Sequence, residues 1–197
     1  MAALLALRSF FEGMLFHGEG INLLFRSLAE VEEWRRDEGF RQGLELIARR
    51  DENGVEHDFN RLFVGPGPLL APPYGSAYLN PQRLLMQEET LAVRRFYRRY
   101  GLAPREPGSL PDDFLPVELE FAAYLLGRAG RALERGEGGE HVRWMDAYRL
   151  FLHRHMGPWI APFARDVVGR ASTGLLKGLG LVLPAIIHRE IADWGEC

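Results

Sequence analysis

Apolar residues recur at three- and four-residue steps along most of this chain, and no segment alternates convincingly between apolar and polar positions. Leu4, Leu5, Phe11 and Leu15 share the face of a first helix, and Ile21, Leu24, Phe25, Leu28 and Val31 that of a second, with Gly18 and Gly20 between them. Phe40, Leu44, Ile47 and Ala48 predict a third that ends near Asn53 and Gly54. A further helix begins near Gly54 and closes at Leu62 and Phe63, because Gly65 and Pro66 stop it. After a long loop, Gln87 to Tyr100 reads as helix, with Gly101 placed to terminate it. Ser109 to Pro111 opens the strongest helix, from about Asp112 to Glu134, whose early acids suit the positive end of the helix dipole. His141 to Met156 and a stretch from about Ser172 to Trp194 complete the set. The expected class is all-α, one domain over residues 1–197, without internal repeats.

Two segments stand out from this regular pattern. The first is DFNRLFVGPGPLLAPPYGSAY, from Asp58 to Tyr78. Its prolines, Pro66, Pro68, Pro72 and Pro73, fix their own φ angles, so the loop loses less entropy on ordering than its length suggests. A fixed surface is expected, and loops this long in compact domains are commonly functional. The second is LPDDFLPVELEFAAYLL. Leu115, Leu119, Ala122 and Leu126 form one apolar stripe and Phe114, Phe121 and Leu125 its neighbour, with Glu118 inside the second. An acid in that position needs a partner. Either Glu118 is a core glutamate paired with a histidine or arginine of another helix, or it forms with Asp113 the acidic wall of a groove that receives a cation.

Composition narrows the possibilities. A formal charge of −3 over 197 residues argues against a nucleic-acid partner, and Arg94, Arg95, Arg98 and Arg99 read as a solvated helix face. The only cysteine, Cys197, excludes an internal disulfide and a CxxC pair, which suits a reducing compartment. Met1 to Leu7 is interrupted by Arg8 and Glu12 too soon for a secretory signal. Gly174 to Ile187 is shorter than the ~20 residues of a spanning helix and contains Lys177 and Pro184. No stable membrane insertion and a cytoplasmic location are expected. Gly169 and Gly174 have P-loop spacing, but Leu175 stands where the lysine would follow. His153 and His155 lie on different helix faces, and no HExxH or GxSxG occurs. The expectation is a protein without enzymatic activity, metal or cofactor.

RLFVGPGPLLAPPYGSAYL, then LPDDFLPVELEFAAYLL, then FLHRHMGPWIAPF together resemble the TorD/DmsD/NarJ family of redox-enzyme maturation chaperones, in particular its DmsD-like and TorD-like branches. The YxxLF-type element corresponds to Phe59, Leu62 and Phe63, and the APPxGS loop to Ala71 through Ser76. The PxDH element corresponds to Pro111, Asp113 and Phe114, ELEF to Glu118 through Phe121, and the late HxxPW element to His155, Pro158 and Trp159. Two positions depart from the pattern: Phe114 replaces a frequent histidine, and Tyr74 stands where some relatives carry tryptophan.

The resemblance implies a TorD-like helical bundle that binds the twin-arginine signal peptide, or the apo form, of a molybdenum oxidoreductase catalytic subunit, holding it until its cofactor is inserted. Residues implied for peptide binding are Leu62, Phe63, Pro72, Pro73, Tyr74, Gly75, Ser76, Tyr78, Pro111, Asp113, Phe114 and Glu118, with His155 and Trp159 in support. Leu62, Phe63, His155 and Trp159 also read as ordinary core, and Asp113 as a helix-start acid. Burying ~400 Å² of apolar peptide contributes about 10 kcal/mol gross. Ordering the peptide offsets much of this, leaving roughly micromolar or somewhat tighter binding and release without ATP. The resemblance allows a monomer or a domain-swapped dimer. Its alternatives are a NarJ-like assembly factor for a non-exported reductase and a weak GTP-binding switch or enzyme.

Overall fold

The computed structural model describes residues 1–13, 19–30, 32–49, 51–103 and 110–192. Expectations that rest on Leu15, Gly18, Val31, Ser109, Trp194 and Cys197 lie outside the described residues. Helices α1 (Ala2–Phe11), α2 (Glu19–Ala29) and α3 (Glu38–Ala48) form where stripes were predicted, although Leu5 and Ala48 are exposed and α3 stops before the expected end near Asn53. Asp37 caps α3 by accepting from the Phe40 N–H at 2.8 Å. Helix α4 (Val55–Phe59) starts after Gly54, whose φ of 73° suits glycine, and continues through a π-helical turn, Asn60–Val64. Among the described residues there is no β-strand, only an isolated antiparallel bridge between Tyr74 and Phe114.

Two helices were not expected. The first is a short one, α5 (Ser76–Leu79), which interrupts the long loop. The second, α9 (Gly157–Arg170), follows α8 (Gly138–Phe151) through a second π-helical turn at Leu152–Met156. Glycine and two prolines make this stretch look like a break. Pro158 sits in the first turn, where its missing N–H has no intrahelical role, and burial of Trp159, Ile160 and Phe163 outweighs the local cost of Pro162. Helix α6 (Glu88–Arg99) ends as predicted, with Gly101 at φ 72°. Helix α7 (Leu115–Glu134) begins three residues later than expected, because Asp112 and Asp113 form a turn.

Helix α10 (Gly174–Ala192) packs on α3 and α9, while α7 packs on α8 and α1. The α3–α10 crossing is close because both sides are glycine: a Cβ on Gly43 would stand 2.6 Å from the Gly178 carbonyl oxygen, and the reverse is equally tight. The start of α10 is fixed by Asp58 of α4, which is 1% exposed. Its carboxylate accepts from the Ser172 and Thr173 N–H groups at 2.7 and 2.8 Å and from Arg61 at 2.6 Å. Burial alone would raise the Asp58 pKa, but these donors more than reverse it and hold the carboxyl below its ordinary value.

Candidate functional site

Residues 65–75 leave the π turn after Phe63 and return against the start of α7. Leu62 and Phe63 do not face solvent. They are 0% and 6% exposed, and the Phe63 ring packs edge-on against Phe11 and Phe59, with Phe163 alongside. They anchor the loop's departure point, and the Ala71 N–H donates to the Leu62 carbonyl at 3.0 Å. At the far end the Leu115 N–H donates to Pro73 at 2.9 Å and the Gly75 N–H to Asp113 at 3.0 Å. These backbone bonds bring Tyr74 and Phe114 side by side, their rings stacked with centroids 5.1 Å apart and planes at 27°. The phenylalanine that departs from the family pattern thus supplies an aromatic face to the tyrosine.

Asp113 is the clamp of this arrangement. Its side chain is buried, accepting the Ser76 N–H at 2.6 Å on one oxygen and the Thr90 hydroxyl at 2.8 Å on the other. It ties the start of α5 and α6 to the turn before α7, and both its oxygens are used inside the protein. Asp112, beside it, pairs with Arg94 at 2.7 Å, and Arg95 pairs with Glu88, so two members of the arginine cluster are ion-pair partners. Gly75 is required by close approach and not by backbone angle: its φ is −57°, but a Cβ there would lie 3.0 Å from the indole nitrogen of Trp159.

Tyr78 packs on Trp159 with centroids 6.0 Å apart and planes at 17°, and its hydroxyl donates to Asp166 at 3.3 Å. Arg83 lies over the Tyr78 ring and pairs with Asp166 at 3.1 Å. Burial and Asp166 push the Tyr78 phenol well above its ordinary pKa, so it stays a donor. His155, in the second π turn, rests against Phe96 and Phe151. Burial, then Arg154 and Arg99, lower its pKa to about 4, which leaves the imidazole neutral at pH 7.

Glu118 is fully buried, and among the described residues neither of its oxygens has a hydrogen-bond partner. The histidine or arginine partner considered from the sequence is not found among them. The Trp159 indole N–H favours the ionised form but falls short of hydrogen-bond geometry. Burial above all, and the Asp113 charge next, raise the Glu118 pKa well above the carboxylate range. Glu118 lines a cavity of about 170 Å³ together with Gly75, Leu79, Glu89, Arg154 and His155.

Of the residues singled out from the sequence, Leu62, Phe63, Pro73, Gly75, Ser76, Pro111, Asp113, Glu118 and Trp159 are buried, whereas Pro72, Tyr74, Tyr78, Phe114 and His155 are half-buried. The structure adds residues that sequence reasoning missed. Leu79, Leu84, Leu85, Met86 and Leu91 are all exposed, Leu84 and Met86 by 54% and 59%, an apolar strip of sequence that follows the loop along the chain. The signal was present in the LNPQRLLM run. Its helical spacing is broken by Pro81, so it read as a connection.

A helical fold of the redox-enzyme-maturation type is what this architecture defines. It superposes on a crystal structure described as a redox enzyme maturation protein from Archaeoglobus fulgidus with a TM-score of 0.56 and 16% identity, over 93% of this chain and 92% of that one. A family model described as nitrate reductase delta subunit matches residues 32–165. The chain belongs to this family, that of the TorD/DmsD/NarJ-like maturation chaperones. It is 32% identical over 137 residues to the Tat proofreading chaperone DmsD of Haemophilus influenzae, covering 70% of this chain and 60% of that protein. Identity to DmsD of Salmonella paratyphi A is 28% over 149 residues, covering 76% and 64%. Identity to the chaperone protein TorD of Photobacterium profundum is 28% over 180 residues, covering 90% and 82%. The chain thus spans less than two thirds of the length of these two DmsD relatives. No helix among the described residues is long and apolar enough to cross a membrane.

Proposed function

We propose that this protein is a cytoplasmic maturation chaperone that binds the twin-arginine signal peptide of the apo catalytic subunit of a molybdenum oxidoreductase. One observation carries the reading: exposed Leu79, the first of a run of exposed leucines and methionine, lines a cavity in which both oxygens of Glu118 and one of Glu89 lack partners among the described residues, next to the Asp113 that pins the loop. A twin-arginine signal offers the complementary order, guanidiniums followed by an apolar run. The names of the DmsD relatives, which describe Tat proofreading chaperones, point the same way. The half-buried Tyr74, Phe114 and Tyr78 supply aromatic surface between the two features.

The test is a titration of purified protein with a labelled twin-arginine signal peptide, its double-lysine variant and a scrambled control. Selective binding that Leu84→Asp with Met86→Asp weakens, without a change in melting temperature, supports the reading. Equal binding of all three peptides would sink it. A second reading is favoured by the description of the family model, which is that of a nitrate reductase subunit: recognition of an apoenzyme away from its leader. Capture of a leaderless catalytic subunit with no affinity for the leader would select that alternative.

A further inference from the structure

The cavity bounded by α6, α7 and the second π turn contains more acceptors than the protein can satisfy. Among the described residues, both oxygens of Glu118 and one of Glu89 are buried without a hydrogen-bond partner, and both residues line the same space, walled on one side by Ala92 and Val93. Buried polar atoms in folded proteins are almost always paired, and those that are not call for a specific explanation. The volume, about 170 Å³, matches the liquid share of roughly five to six water molecules, enough for the head of one long side chain. Its rim reaches solvent through Leu79, the first residue of the exposed apolar strip, and through exposed Arg154.

We propose that this cavity is the receptor for one guanidinium of the client's twin-arginine segment, with Glu118 and Glu89 accepting its N–H groups and Glu118 releasing a proton to solvent as the cation enters. This rests on the signal-peptide reading above. A guanidinium brings five donors in a planar fork, and the cavity presents unpaired carboxyl oxygens of Glu118 and Glu89 on a largely apolar wall, with exposed Arg154 and half-buried His155 at its edge. Asp113 is not available for the task, because Ser76 and Thr90 occupy both its oxygens, and Asp112, paired with Arg94 through one oxygen, does not line the cavity.

The exchange balances in protons and charge. In unliganded Glu118 burial first, and then Asp113, favour the neutral acid form. The groups that face it are Asp112 and Asp113 before α7, Glu89 and Tyr97 on α6, Arg154 and His155 on the π turn, and Trp159 on α9. His155 is neutral, and Tyr97 is pushed upward by burial and then by Glu118, so neither takes up the proton near pH 7. When the guanidinium enters, the carboxyl O–H bond breaks, the proton passes to buffer, and the carboxylate pairs with the cation.

The experiment is calorimetric titration of the full chain with a twin-arginine peptide in two buffers of different ionisation heat, repeated from pH 6 to 8. Single- and double-lysine peptides serve for comparison. The expected result is release of about one proton per peptide, with affinity rising by up to about tenfold per pH unit. Glu118→Gln, whose amide mimics the neutral acid, is expected to fold as the parent by circular dichroism, release no proton and bind at least tenfold more weakly. Glu89→Gln is expected to weaken binding while proton release persists. Selective binding without proton release, or unchanged in Glu118→Gln, overturns the cavity assignment and leaves the signal-peptide reading standing. No binding of any twin-arginine peptide by the parent removes both. Should Glu118→Gln fail to fold, the parent's proton count and Glu89→Gln decide the matter.

Discussion

Replacing Asp113 separates two roles that the sequence left open, contact with a client and fixation of the loop. The buried carboxylate holds the Ser76 N–H at 2.6 Å and the Thr90 hydroxyl at 2.8 Å, and those two donors are themselves on residues 0% and 2% exposed. Hydrogen bonds to a charged acceptor are worth about 1.5–3 kcal/mol each, and Asp113→Ala leaves both donors buried and unsatisfied. The expected cost is about 3–5 kcal/mol. For a chain of this size that lowers the melting temperature by on the order of 10 °C. Asp113→Asn keeps an acceptor for Ser76 and can donate to the Thr90 oxygen, so about 1–2 kcal/mol is expected. Urea denaturation followed by tryptophan fluorescence gives the stabilities, and hydrogen exchange at the Ser76 amide reports the local opening. Peptide affinity should fall in step with that exchange rate. If Asp113→Ala abolished binding with stability and Ser76 protection unchanged, Asp113 would be a direct contact and the clamp argument would be wrong.

Three further predictions follow from neighbouring geometry. Gly75→Ala places a methyl group 3.0 Å from the Trp159 indole nitrogen and should cost about 1–3 kcal/mol, with a shift in tryptophan emission; an unchanged spectrum and melting point would refute the close approach. Asp58→Ala should cost about 2–4 kcal/mol by orphaning the Ser172 and Thr173 N–H groups at the start of α10. Because the Asp58 pKa is depressed in the folded state, its contribution is present above the unfolded value of about 3.9 and lost as pH falls through the folded one. Melts from pH 7 to 3 should therefore show a smaller acid loss in the variant. Glu118 has the opposite sign: its folded pKa is raised, so its contribution is complete below about 4.3 and declines as pH rises toward the folded value. Glu118→Gln removes that decline, so its melting temperature relative to the parent's should rise as pH is raised above about 4.3.

The all-helical class was legible because helices announce themselves locally. Stripes at three- and four-residue steps gave α1, α2, α3, α6 and α7, and Gly65 with Pro66, and Gly101, marked where chain segments must turn. Helix α9 was not legible for the same reason: Gly157, Pro158 and Pro162 are local breakers, and only the burial of Trp159, Ile160 and Phe163 against other elements overrides them. The candidate site was legible as residue types in order, from the APPYGS loop to Asp113, Glu118, His155 and Trp159.

The assignment of those residues to roles belongs to the tertiary structure. Sequence shows that an acid stands at 113 and another at 118, but not that the first is saturated by Ser76 and Thr90 while the second is left without a partner. The difference arises from which segments, distant along the chain, arrive beside each carboxyl. Hydrogen bonding and burial are properties of that arrival, whereas helical periodicity is a property of the chain alone.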